Sequence, residues 1–126
     1  MIKENKVSLW FGVFENPDKF ENYVNISYDE QGNQKLSEFQ KNYKIEKYDF
    51  DGIETDFLSD QMPDMESLFE GFSWDYEIIP QFKKMLEHKK LNYNCIVLLY
   101  NFEYTGNILT DGKLEYIGCA DFTGEL

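Results

Sequence analysis

Residues 94–104 read Asn-Cys-Ile-Val-Leu-Leu-Tyr-Asn-Phe-Glu-Tyr, and this stretch decides the fold. Its apolar run is far too short to cross a bilayer, but it has the length and the β-branched and aromatic content of a strand. A strand that is nearly continuously apolar, rather than alternating, belongs in the middle of a sheet covered on both sides. Downstream, the polar loop Thr105–Gly112 leads to Lys113–Phe122 (KLEYIGCADF), which reads as the returning strand of a hairpin. Cys95 would then lie near the open end of that hairpin, with Cys119 pairing closer to Leu98. Upstream, Asp75–Lys89 is the strongest helical pattern in the chain. Ile78, Ile79, Phe82, Met85 and Leu86 fall on one face, Asp75 and Glu77 suit the positive end, and Lys89 and Lys90 suit the negative end.

Toward the N-terminus, Val7–Phe14 (VSLWFGVF) reads as a further strand. One face carries Val7, Leu9, Phe11 and Val13, the other Ser8, Trp10, Gly12 and Phe14. Asn16-Pro17 supplies an N-cap and a first-turn proline for a short helix through Tyr23. Tyr28–Gln34 is turn-like, broken at Gly32-Asn33, and Ser37 with Gln40 forms a capping box for a helix over Glu38–Tyr43. Ile45–Phe50 and Ile53–Leu58 alternate around Asp51-Gly52, a strong hairpin signal. Pro63-Asp64 opens another short helix, ended by Gly71. Together these elements predict an α+β fold in a single domain over residues 1–126. Its antiparallel sheet would use the first strand and the last two, extended by the middle strands, with helices packed on one side.

The charge distribution is as uneven as the fold pattern is regular. Between Asp49 and Glu77 stand ten carboxylates and no lysine: Asp49, Asp51, Glu54, Asp56, Asp60, Asp64, Glu66, Glu70, Asp75 and Glu77. Outside this stretch the chain is almost neutral, although its formal net charge is -12. Concentrating like charge on a folded domain costs self-repulsion, and a cationic partner offsets it. Trp74 and Tyr76, inside the acidic stretch, are candidate anchors for such a partner, although packing beneath the main helix is the stronger expectation for Trp74. For Trp10, mid-strand, the expectation is burial. With no arginine, a pI near 4.4 and a negative field, neither nucleic acid nor an anionic membrane is an expected partner.

Catalytic and metal chemistry find little support. His88 is the single histidine and sits among lysines near a helix end; Cys95 and Cys119 lie in strands, as buried thiols of a reducing cytosol would. No zinc spacing, nucleophile elbow or phosphate loop is present. The acids around Asp49–Asp56 resemble a calcium loop, but Gly52 arrives too early for an EF-hand. A glycosidase-type carboxylate pair would require a deep cleft. The reading is therefore a non-enzymatic protein with no catalytic residues, no metal ligands and no cofactor.

Four segments carry a family resemblance: Val7-Ser8-Leu9-Trp10-Phe11-Gly12, Glu70-Gly71-Phe72-Ser73-Trp74, Ile79-Pro80, and Val97-Leu98-Leu99-Tyr100-Asn101-Phe102-Glu103-Tyr104. In order and spacing, from about Val7 to Gly118, they resemble the immunity protein 22 family, small α+β proteins of bacterial polymorphic toxin systems. The resemblance implies a cytoplasmic antitoxin that binds and neutralises a cognate toxin domain encoded beside it. It fixes no toxin-contacting residue. Many toxin nucleases are cationic, so an acidic inhibitor surface fits a basic nuclease. The competing reading is an acidic, nucleic-acid-mimicking or regulatory interaction module without a toxin partner.

Overall fold

The computed structural model describes residues 1–58, 68–87 and 92–124. In chain order these form β1 (Ile2–Gly12), α1 (Pro17–Val24), a small ribbon of β2 (Ser27–Tyr28) and β3 (Gln34–Lys35), α2 (Glu38–Tyr43), β4 (Ile53–Phe57), α3 (Asp75–Leu86), β5 (Cys95–Phe102) and β6 (Leu114–Asp121). The main sheet is antiparallel, in the order β4-β5-β1-β6. The α+β class and the antiparallel sheet agree with the sequence reading. The β5–β6 hairpin does not form, because β1 lies between those strands. Val7 to Gly12 are all buried, so β1 requires a neighbour on each side. Gly12 allows the close approach of β6: a Cβ there would stand 2.4 Å from both Lys113 O and Leu114 Cδ2. Cys95 accordingly pairs with Gly12, and Cys119 with Ser8.

Helices cover both faces of the sheet, not one. Toward α1 and α2 point Trp10, Val97 and Leu99, meeting Phe20, Tyr23, Val24, Phe39 and Tyr43. Toward α3 point Val7, Leu9, Phe11, Ile96, Leu98 and Tyr100, meeting Ile78, Phe82 and Leu86. The cause is the apolar character of both sides of β1 and β5; leaving either face to water would expose a row of large side chains. Trp10 is the centre of the first core. It is fully buried, and rings of Phe39, Tyr43, Tyr104 and Tyr116 surround it with centroids 5.0–5.7 Å away.

The local start and stop signals act as read. Asn16 Oδ1 accepts from Lys19 N to cap α1, with Pro17 in its first turn. At α2 the capping box is complete: Gln40 N donates to Ser37 Oγ, and Ser37 N donates to Gln40 Oε1 (both 3.1 Å). The expected hairpin at Asp51-Gly52 is absent. Gln40 is the reason: its main-chain O accepts from Ile45 N (2.8 Å) and its side-chain amide donates to Ile45 O (3.2 Å). Ile45 and Tyr48 are buried in the first core, so residues 45–49 follow α2 instead of pairing. Asp51-Gly52 becomes a 3-10 turn (Phe50–Gly52), and β4 pairs with the distant β5. The Pro63-Asp64 helix start lies outside the described residues; Gly71, its expected terminator, has φ +92.

The beginning of β1 and the end of β6 are tied down by polar side chains. Asn5 adopts a left-handed conformation (φ 64), and its main-chain N donates to the Oδ1 of Asn101, itself at φ 58. This pair accommodates the irregularity in β1–β5 register between Ile2 and Val7. On α3, Glu77 accepts from Thr123 N (2.9 Å) and Thr123 Oγ1 (2.5 Å). Gln81 exchanges two hydrogen bonds with the main chain of Asp121 (2.7 and 2.9 Å), as a neighbouring strand would.

Candidate functional site

The acidic stretch is threaded through three structural settings. Asp49, Asp51, Glu54 and Asp56 lie on the 3-10 turn and edge strand β4; Glu70 lies in the loop before α3; Asp75 and Glu77 occupy the first turn of α3. Asp60, Asp64 and Glu66 fall outside the described residues, as does His88. Strand β4 brings the first group beside the loop that precedes α3. Ser73 is the link: its N and Oγ donate to the two carboxylate oxygens of Glu54 at 2.8 and 2.5 Å. Tyr100, from β5, donates its hydroxyl to Ser73 O beneath the same junction. The sequence held no signal for the roles of Ser73 and Tyr100, since both depend on contacts far apart along the chain.

These contacts divide the carboxylates into two kinds. Glu54 holds Ser73; Asp49 accepts from Asp51 N (3.0 Å); Asp75 accepts from Gly71 N (3.1 Å) and Tyr76 N (2.8 Å); Glu77 holds Thr123. Asp49 and Asp75 stabilise local chain geometry at a turn and a helix start, where a carboxylate meets exposed N–H groups, whereas Glu54 and Glu77 tie together segments far apart in the chain. Asp51, Asp56 and Glu70 are exposed, and among the described residues none has an ion-pair partner. Among the described residues, Asp56 accepts only from the adjacent Phe57 N (2.9 Å). Asp56 and Glu70, with Thr55, Gly71 and Phe72, line one depression of about 220 Å³.

The two aromatic candidates separate as well. Trp74, at φ 58 in the N-cap position of α3, stacks on Phe122 (centroids 6.4 Å apart, planes at 30°). Its ring covers Gly124, where a Cβ would lie 1.6 Å from the indole. Trp74 thus serves packing at the chain's end. Tyr76 keeps 67% of its surface exposed while its ring leans on Trp74 at 5.7 Å, so it remains available as an anchor.

Burial tunes several hydroxyls and a thiol in this fold. The Tyr100 hydroxyl is raised by desolvation and by the neighbouring Glu54 charge; Tyr43 is raised mainly by desolvation; Tyr116 is pushed up to about 12, also by burial. Cys95 is pushed up to about 12 by burial. In the unfolded chain these groups titrate near 9.0 for the thiol and 10.0 for the phenols. Between those values and the raised native ones, the folded state binds more protons than the unfolded state, so stability falls as pH rises. Denaturant midpoints are expected to be indifferent to these groups below pH ~9 and to decline steadily from pH ~10 upward. A midpoint that holds through pH ~12 would contradict that assignment.

No helix among the described residues is long and apolar enough to cross a membrane. Comparison with curated proteins and with solved structures finds no match. A family model described as Immunity protein 22 matches residues 7–123, including Val7–Gly12 of the N-terminal strand, the Glu70–Trp74 loop, the main helix and both C-terminal strands. This chain therefore belongs to the Immunity protein 22 family.

Proposed function

We propose that this chain is a non-enzymatic, cytoplasmic immunity protein that binds a cognate bacterial toxin domain and neutralises it by occlusion. Membership of the Immunity protein 22 family is the observation that carries this reading. The acidic surface around β4 and the loop before α3 is the face that meets the toxin, with Asp51, Asp56, Glu70 and Tyr76 as its contact residues. Asp49, Glu54, Asp75 and Glu77 contribute field rather than contact, because they already accept hydrogen bonds from the fold. A basic nuclease is the toxin class that this charge complements, since a protein that grips a polyanion presents cations for an inhibitor to cover. Opposite fields speed capture toward about 10⁸–10⁹ M⁻¹s⁻¹ at low salt, against about 10⁵–10⁶ without steering.

Co-expression supplies the test. With the toxin domain encoded beside this chain's gene, the chain is expected to restore growth and to co-purify in a one-to-one complex. Growth arrest despite abundant folded protein would remove the toxin-neutralising reading. It would favour the regulatory or nucleic-acid-mimicking module instead.

A further inference from the structure

The two outer edges of the sheet are treated differently. On β6, both main-chain groups of Asp121 are taken by Gln81, and residues 109–110 lie along Glu115 and Tyr116. Cover of this kind stops a sheet edge from recruiting another strand. Among the described residues, strand β4 has little of it. Leu58 N donates to Asn94 O (2.7 Å), which sets the alternation of the antiparallel ladder. The main-chain groups of Glu54 and Asp56 therefore turn toward β5, and those of Ile53, Thr55 and Phe57 turn outward. Phe57 N–H is occupied by the Asp56 carboxylate. The N–H and C=O of Thr55, an exposed residue, have no hydrogen-bond partner among the described residues.

We propose that the toxin docks by strand addition: an extended segment bearing lysine or arginine joins β4 as a fifth strand, and one of its basic side chains enters the depression between Asp56 and Glu70. The inference rests on the toxin-neutralising reading and specifies its docking mode. Main-chain hydrogen bonds to Thr55 supply affinity in such an arrangement, and the side-chain depression supplies selectivity. Charge selects the occupant. A second copy of this chain, paired antiparallel about Thr55, would set Asp56 opposite Glu54 on the same face, and like charges directly opposite are destabilising. A basic strand reverses the sign of that contact.

The substitution Thr55→Pro isolates the edge from the charge. Proline is tolerated on an edge strand where its nitrogen faces outward, so the fold and every carboxylate are retained. Against the neighbouring toxin domain, the variant is expected to dissociate about tenfold faster or more, with little change in association rate. Hydrogen exchange on the wild-type protein gives a second reading, independent of whether the variant folds. The Thr55 amide should exchange quickly in the free protein and become protected in the complex. A stable wild-type complex in which that amide exchanges at its free rate overturns strand addition while leaving neutralisation intact. A free protein that dimerises and protects Thr55 assigns the edge to a second copy and also overturns it. Absence of any wild-type complex sinks the neutralising reading itself, and the docking mode with it.

Discussion

Trp10→Ala is expected to lower the unfolding free energy by about 3–5 kcal/mol, the largest single-residue effect in the protein. Trp10 is fully buried, and the four aromatic rings around it belong to α2, to the segment after β5 and to β6. No single side chain can relax into the space the indole would leave, because each ring is held elsewhere. Tyr43, for one, donates its hydroxyl to Leu114 O at 2.6 Å. Since a domain of this kind has only about 5–15 kcal/mol of stability, the variant is expected to lose a large fraction of it. Trp10→Phe should cost much less. Among the described residues the indole Nε1 is buried without a hydrogen-bond partner, so removing that N–H relieves an unsatisfied donor while keeping most of the ring contact. Denaturant melts of the two variants, compared with the wild type, measure the difference. Equal costs would show that the core repacks freely around this position.

The second large effect is kinetic. Reversing Asp51, Asp56 and Glu70 to lysine is expected to slow toxin capture by about 10- to 100-fold at low ionic strength, within the span that steering provides. The gap should narrow as salt rises, because the screening length falls from about 10 Å at 0.1 M to about 3 Å at 1 M. These three residues suit the experiment because none has an ion-pair partner among the described residues, so the fold should tolerate the change. Glu54 does not suit it: reversal there would break the hold on Ser73 and confuse loss of charge with loss of structure. Stopped-flow association rates across a salt series decide the matter. Unchanged rates would place the toxin contact on another face. Charge reversal therefore acts on association and Thr55→Pro on dissociation, so the two variants report on separable parts of one encounter.

The features that were legible in the sequence share a physical property: each is decided within a few residues. Asn16-Pro17 and Ser37 with Gln40 satisfy helix-start N–H groups locally, and both helices start where those residues predict. The unbroken apolar run from Cys95 to Tyr100 declared two-sided burial, and all six of its residues are buried. What was hidden depends on distant partners. Asp51-Gly52 carries a hairpin signal, but the side chain of Gln40 captures Ile45 and withdraws the first strand of that hairpin. The nearness of β5 and β6 in sequence suggested direct pairing, whereas the two apolar sides of β1 draw it between them. Placing all helices on one side conflicted with the two-sided character of β5 itself, and the structure resolves the conflict in favour of β5.

The candidate site shows the same division. Composition marked the acidic stretch and Tyr76, but it could not tell structural carboxylates from available ones, because that depends on where Ser73 and Thr123 come to rest. Nor could it announce the open edge of β4, since strand order is a property of the whole sheet. The placement of Trp74 against Phe122 and Gly124 follows the expectation that it would pack rather than protrude.

In chain order the central strand β1 comes before α1, α2, β4 and α3, and both of its partners, β5 and β6, come after them. Until β5 and β6 emerge, a nascent chain carries Val7–Phe11 with no sheet to enter, an adhesive segment that attracts chaperones or other incomplete chains. Assembly of the sheet therefore waits until β6 has been made, and closing such distant contacts takes time of its own. On the proposed neutralising function, protection comes from copies folded beforehand, not from those still being made when a threat arrives.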